Sequence, residues 1–256
     1  MKDWFFFDAA AQLGTPRNGG LAFASTPAEL LAEMDRAGVA RALVREINAS
    51  DAGAVYANER MARCLAEDGS GRLDGVWTLL PPQTREIPQG KELFAAMKRH
   101  RVRALDLLPA EHRWVASRRT IGRVMGEAAE RRVPILVSRA AFDYSWERLY
   151  GFLEWFPENR YIFLTTGEPW GIDRQARPLL EAYPHFHMEL STYWTMEGIA
   201  ELAKDYGAGR FLYGSGYPAF NHGNMMLALR HAELSLDGKL AIAGRNLAGL
   251  LDGAEL

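Results

Sequence analysis

The chain holds a single cysteine, Cys64. No disulfide can therefore close within it, and the fold must rest on its core, as suits a reducing cytoplasm. Cys64 falls between Met61 and Leu65 on a helical stripe, where it reads as core filler. Charge of one sign is also lacking. Lys and Arg number 30 against 32 Asp and Glu, a net charge of -2. That balance excludes the basic footprint of a nucleic-acid binder. No apolar run approaches the roughly 18 residues of a membrane span, so no membrane segment is expected. Met1-Lys2-Asp3 runs straight into Trp4-Phe5-Phe6-Phe7 without a signal-peptide cleavage pattern, which makes a cytoplasmic protein the expectation. Linkers and low-complexity tracts are missing too, and residues 1–256 read as one domain.

What the chain does have is apolar residue in quantity, 48% of 256 residues, enough for a sizeable core. Short apolar strands alternate with amphipathic helices throughout. The spacing predicts strands beginning near Trp4, Ala40, Leu73, Val102, Pro134, Arg160, Phe186 and Arg210, at intervals of about 25 to 37 residues. Thr26-Pro27-Ala28-Glu29 combines an N-cap, a proline in the first turn and a capping-box Glu; Leu30, Leu31 and Met34 form the stripe that follows, and Gly38 ends it. Further helices are predicted over Val55–Glu67, Gln89–His100, Thr120–Arg132, Trp146–Trp155, Asp173–Ala182, Met196–Tyr206, Asn224–Leu234 and Leu240–Leu251. Eight βα units of this length predict an α/β fold, a single (β/α)8 TIM barrel.

In such a barrel the chemistry sits where the strands end. Reading those ends in order gives Asp8 and Gln12, then Arg45 and Glu46, Trp77, Asp106, Ser138 and Arg139. The later strands give Thr165 and Glu168, Glu189 and Ser191, and Ser215 with Tyr217. Asp8, Glu46 and Glu189 are the acid/base candidates, joined by His222 in the loop after the eighth strand, an imidazole that titrates near neutral pH. Asp106 is expected to be ion-paired with Arg139, and Arg45 or Arg139 to clamp a substrate carboxylate. Trp77, Trp170, Tyr193 and Tyr217 are expected to wall the mouth. The His185-Phe186-His187 pair has chelating form, but it lies where a strand enters the barrel and lacks a third ligand, so it reads as structural.

The stretch Arg210-Phe-Leu-Tyr-Gly-Ser-Gly-Tyr-Pro218 closely resembles the Arg-Leu-Leu-Phe-Gly-Ser-Asp-Tyr-Pro signature of amidohydrolase-2 type metal-dependent hydrolases and decarboxylases. Phe6 to Gly14 is similar to the Ile-Asp-x-His-x-His-Leu-Gly opening of that family, and Leu31 to Val39 to its first helix. Phe156-Pro157, Glu189-Leu190-Ser191 and Asn246 add to the resemblance. It implies a barrel with a metal held at five positions, which here carry Ala10, Gln12, Ser138, Thr165 and Gly216. A catalytic zinc needs about three His, Cys, Asp or Glu ligands, so neither metal nor other cofactor is expected. The resemblance then implies a metal-independent hydrolase or (de)carboxylase acting on a small carboxylate-bearing cyclic or aromatic compound. The alternative is an inactive relative that binds a ligand or partner. Assembly as a homodimer, or with an active relative, stays open.

Overall fold

A computed structural model describes residues 4–17, 19, 22–168, 171–195 and 197–256. Eight strands run in the order β1 to β8, every neighbouring pair parallel. They are β1 (Phe6–Leu13), β2 (Val39–Glu46), β3 (Leu73–Leu79), β4 (Val102–Leu107), β5 (Ile135–Val137), β6 (Tyr161–Phe163), β7 (Phe186–Glu189) and β8 (Phe211–Leu212). Helices α1 (Pro27–Ala37), α2 (Ala49–Ala52), α3 (Ala54–Glu67), α4 (Lys91–Arg99), α5 (Arg118–Glu130) and α6 (Trp146–Trp155) fall between them. So do α7 (Asp173–Ala182) and α8 (Gly198–Tyr206), and α9 (His222–His231), α10 (Leu236–Leu240) and α11 (Asn246–Asp252) follow β8. The alternation is that of a single (β/α)8 barrel, as the sequence predicted.

The seam between β8 and β1 is drawn together by the glycine-bearing stretch. Ala9 N donates to Tyr213 O and Gln12 N to Tyr217 O, each at 2.9 Å. Between them Ser215 N donates to the Asp8 carboxylate at 2.9 Å. A side chain thus substitutes for a backbone acceptor where β1 departs from regular register between Asp8 and Ala11.

Two apolar layers follow from the period-2 alternation of the strands. Outward-facing residues pack against the helices. Inward-facing Phe7, Leu43, Val76, Ala104, Leu136, Ile162 and Leu212 fill the barrel together with Leu247, Leu250 and Leu251 of α11, which plugs the end where the strands begin. There Arg41 pairs with Asp74 at 2.7 Å, and Arg103 donates to Leu251 O at 2.5 Å. His187 occupies the matching inward place on β7, opposite Ile162. Burial, helped by Arg210, pulls its pKa down to about 4.

Helix boundaries depart from the sequence reading for local reasons. α5 starts at Arg118 because Ser117 and Thr120 form a reciprocal capping box. α1, by contrast, opens at the Thr26 cap and ends at Gly38 as predicted, the φ of 80° at Gly38 being left-handed. The predicted helix over Leu240–Leu251 instead passes through a π-helical turn, Ala241–Arg245, before α11. In that turn Gly244 lies so close to Phe5 that a Cβ would meet its carbonyl. Asn246 then bonds back to Ala208 O at 2.9 Å and Phe211 O at 2.8 Å.

Candidate active site

One step up each strand from the apolar interior, two residues on, the chain places Ala9, Arg45, Thr78, Asp106, Ser138, Leu164, Glu189 and Gly214. Five of these eight residues carry polar side chains, whereas the layer beneath is apolar apart from His187. Arg45, Asp106 and Ser138, with Gln12, Glu46, Thr166, Leu108 and Leu164, line a cavity of about 190 Å³ at the mouth of the barrel. The space corresponds to about six waters at roughly 30 Å³ each. Wider hollows of about 750 Å³ between α5 and α6 and about 640 Å³ beside α9 lie outside the barrel. No lining residue of either carries a buried polar atom without a partner, whereas Arg45 Nε and Asp106 Oδ1 are both such atoms. Trp114 Nε1 and Glu127 Oε2, likewise without partners, belong to residues lining hollows outside the barrel, so the small cavity at the strand ends is the candidate site.

Glu189 is fully buried beside it. Its Oε1 accepts from Thr165 N at 2.6 Å, Thr165 Oγ1 and Ser191 Oγ at 3.0 Å, and Thr166 N at 3.2 Å. Its Oε2 accepts from Ser191 N at 2.7 Å. Burial pushes the Glu189 pKa up, against these donors. Gly214 makes room for it, because a Cβ there would collide with Oε2. Asp106 has no such web. Burial raises its pKa, opposed by Arg45, Thr78 and His112. The same burial lowers the pKa of Arg45, opposed by Asp106 and Glu189. Arg45 thus stands between two carboxyl groups.

The remaining arginines of the mouth are engaged. Glu46 is paired with Arg60 of α3 and accepts from Asn48 N at 3.2 Å. Arg139 does not meet Asp106, contrary to the ion pair expected from adjacent strands. It has passed the end of β5 and turned outward, donating to Glu168 at 2.9 Å and to Tyr144 O at 2.7 Å. Burial raises the Glu168 pKa, with Arg139 opposing.

Asp8 and His222 come together, but behind the seam. Asp8 Oδ1 accepts from Ala10 N at 3.0 Å and from Ser215 N, and Oδ2 lies 3.6 Å from His222 Nε2. The other ring nitrogen is 3.7 Å from Glu33 of α1. His222 is not an exposed loop residue. It opens α9 because Asn221 caps Gly223, and its ring is buried with Tyr217 stacked on it at 4.8 Å. Glu33 was invisible as a partner in the sequence, where it reads as the polar face of α1.

The expected aromatic walls are elsewhere. Trp77 points into the helix layer, donating to Asn58 O at 3.0 Å, because the period-2 alternation of β3 puts it with Leu73 and Leu79 outward and Val76 and Thr78 inward. Tyr193 donates to Asp173 at 2.8 Å, and burial together with that carboxylate pushes its pKa up to about 12. Trp170 lies outside the described residues. Ser215 Oγ accepts from Tyr217 N at 2.9 Å and belongs to the seam. His185 is exposed and meets His187 only through its carbonyl, at 3.1 Å.

Among the described residues no three His, Cys, Asp or Glu side chains converge as metal ligands would. Gly216, where the resembling family carries Asp, has a φ of 67°, and a Cβ there would meet Phe220 at 2.9 Å and Ser191 at 3.3 Å.

No family model matches the sequence, and no curated protein matches it either. Solved structures do match. The 2,6-dihydroxybenzoate decarboxylase from Rhizobium superposes with a TM-score of 0.70 at 14% identity, covering 97% of this chain and 99% of that one. The 5-carboxyvanillate decarboxylase from Sphingomonas paucimobilis gives 0.68 at 15%, with 97% and 99% covered. Amidohydrolase 2 from Bifidobacterium longum subsp. infantis gives 0.67 at 15%, with 96% and 99% covered. The structural neighbours include proteins described as amidohydrolases and as decarboxylases. At these identities the likeness is one of fold.

Proposed function

We propose that this barrel is a metal-independent hydrolase or (de)carboxylase-type enzyme for a small carboxylate-bearing cyclic or aromatic compound. The observation that carries the reading is the mouth cavity, where Arg45 and Asp106 alone among its lining residues hold buried polar atoms without partners. Two structural neighbours, decarboxylases of aromatic carboxylates by name, support it. The donors at the five resembling positions, Ala10, Gln12, Ser138, Thr165 and Gly216, do not fit a zinc. No step is therefore routed through a metal.

In this reading the roles shift from those expected. Glu46 is paired with Arg60, Glu189 is wrapped by hydroxyl and backbone donors, and Asp8 lies at the seam outside the cavity lining, so the acid/base role falls to Asp106, whose carboxyl burial holds toward its protonated form. The clamp falls to Arg45, since Arg139 is occupied by Glu168. A positioned acid supplies roughly 10²–10⁴-fold, enough for an activated lactone or a decarboxylation through a stabilised carbanion. The test is turnover of hydroxybenzoates and cyclic lactones by protein of measured metal content, with Asp106→Asn expected to cost about 100-fold or more. Activity that tracks one bound metal equivalent would overturn the reading.

The engagement of Glu46 and Glu189 also favours a second reading, an inactive relative that binds its ligand without converting it. Tight binding without turnover across the same compounds would select it.

A further inference from the structure

The charges around the cavity can be counted. Glu46 faces it already paired with Arg60. Glu111 stands exposed on its rim, and Asp106 lies in its wall. Arg45 is the single cationic side chain among the described residues that line it, and neither mouth ion pair, Arg60–Glu46 nor Arg139–Glu168, engages it. Apolar lining is supplied by Leu108 and Leu164. A guanidinium with an open edge matches one carboxylate in the bidentate manner. A second carboxylate on the same ligand would lie inside near Glu46 or at the rim near Glu111, in either place with no free cation among the described lining residues to meet it, which is costly.

From this we infer that the site selects compact monocarboxylates over dicarboxylates, with Arg45 as the specificity-determining residue. The inference rests on the cavity being the substrate site and deepens that reading by naming the charge class. The groups facing Asp106 are Arg45 from β2, Thr78 from β3 and His112 from the loop after β4. Those facing Arg45 are Asp106 and, across the barrel, Glu189. Asp106 is held toward its neutral form by burial, and it becomes a repelling charge as pH rises through its raised pKa. The apparent affinity for an anion therefore falls with rising pH in that window.

Calorimetric titration of the purified protein with benzoate and isophthalate tests this directly. Benzoate is expected to bind about 100-fold more tightly than isophthalate, the discrimination one like charge at about 6 Å produces at an effective dielectric of about 20. Arg45→Gln is expected to weaken benzoate by about 10- to 100-fold, and Arg45→Lys to recover part of that loss. Asp106→Asn is expected to flatten the pH profile. Equal affinity for the two probes, no binding of benzoate to the unaltered protein, or a folded Arg45→Gln that binds normally would each overturn the inference. The preference of the unaltered protein is independent of whether any variant folds. Turnover without the preference refutes the inference alone, and the preference without turnover refutes the enzymatic reading alone.

Discussion

Replacing Glu189 by Gln tests whether the centre of the upper layer is an anion. The two carboxylate oxygens face three backbone N–H groups, those of Thr165, Thr166 and Ser191. An amide has one oxygen. If it stays toward Thr165 and Thr166, the NH2 group confronts Ser191 N, which stands 2.7 Å from Oε2. One buried N–H then loses its acceptor, at a cost of about 1–3 kcal/mol. For a chain of this size each kcal/mol moves the melting temperature by roughly 2–4 °C, so Glu189→Gln should melt about 2–12 °C lower. Glu189→Ala should cost more, since it orphans all three amides. Calorimetric melting and urea unfolding at neutral pH measure both. A Glu189→Gln protein with an unchanged midpoint would mean that the group is a neutral acid, which an amide mimics, and the account of an ionised acceptor would be wrong.

Restoring the family's carboxylate, Gly216→Asp, should destabilise by about 1–3 kcal/mol, because its φ of 67° disfavours a side chain and Phe220 and Ser191 occupy the space; added zinc giving full rescue of the urea midpoint would contradict this. Arg139→Ala leaves Glu168 buried without its partner. Burial then raises the carboxyl further, and a group with a raised folded pKa loses its stability contribution as pH rises through it. The deficit should thus be larger at pH 8 than at pH 5, and a pH-independent deficit would count against the pair. His187, whose pKa is pulled down to about 4, stays neutral in the folded chain while the unfolded chain takes up a proton near 6.5. Stability should be complete above pH 6.5 and decline as pH falls toward 4; His187→Phe should blunt that decline in acid-unfolding curves.

Much of this architecture could be read before any coordinates. The Thr26 box and Gly38 stop delimit α1 as expected, and Trp146–Trp155 and Asp173–Ala182 are helices over the predicted residues, since caps and prolines act locally. The upper layer was legible in part, because Arg45, Asp106, Ser138 and Glu189 were all named from strand ends. Their partners were not. Trp77 was placed at the mouth from its position near the strand end, although β3 alternates strictly and puts it with Leu73 and Leu79 on the outer face. Arg139 was given to Asp106 from strand adjacency, although it sits beyond the strand, where loop geometry decides direction. His222 read as a loop residue because its burial depends on Glu33 and Tyr217, far away in sequence or turned back by the chain.

The seam carries a kinetic consequence. Asp8 and Ser215 are 207 positions apart, yet one hydrogen bond from the backbone of the latter to the former sits in the middle of the join. Bringing such distant segments together costs closure entropy that no neighbouring contact offsets until most of the intervening βα units have docked. Cylinder formation should accordingly be a late event, and the amides of Ala9 and Gln12 should gain deuterium protection after those of β3 and β4.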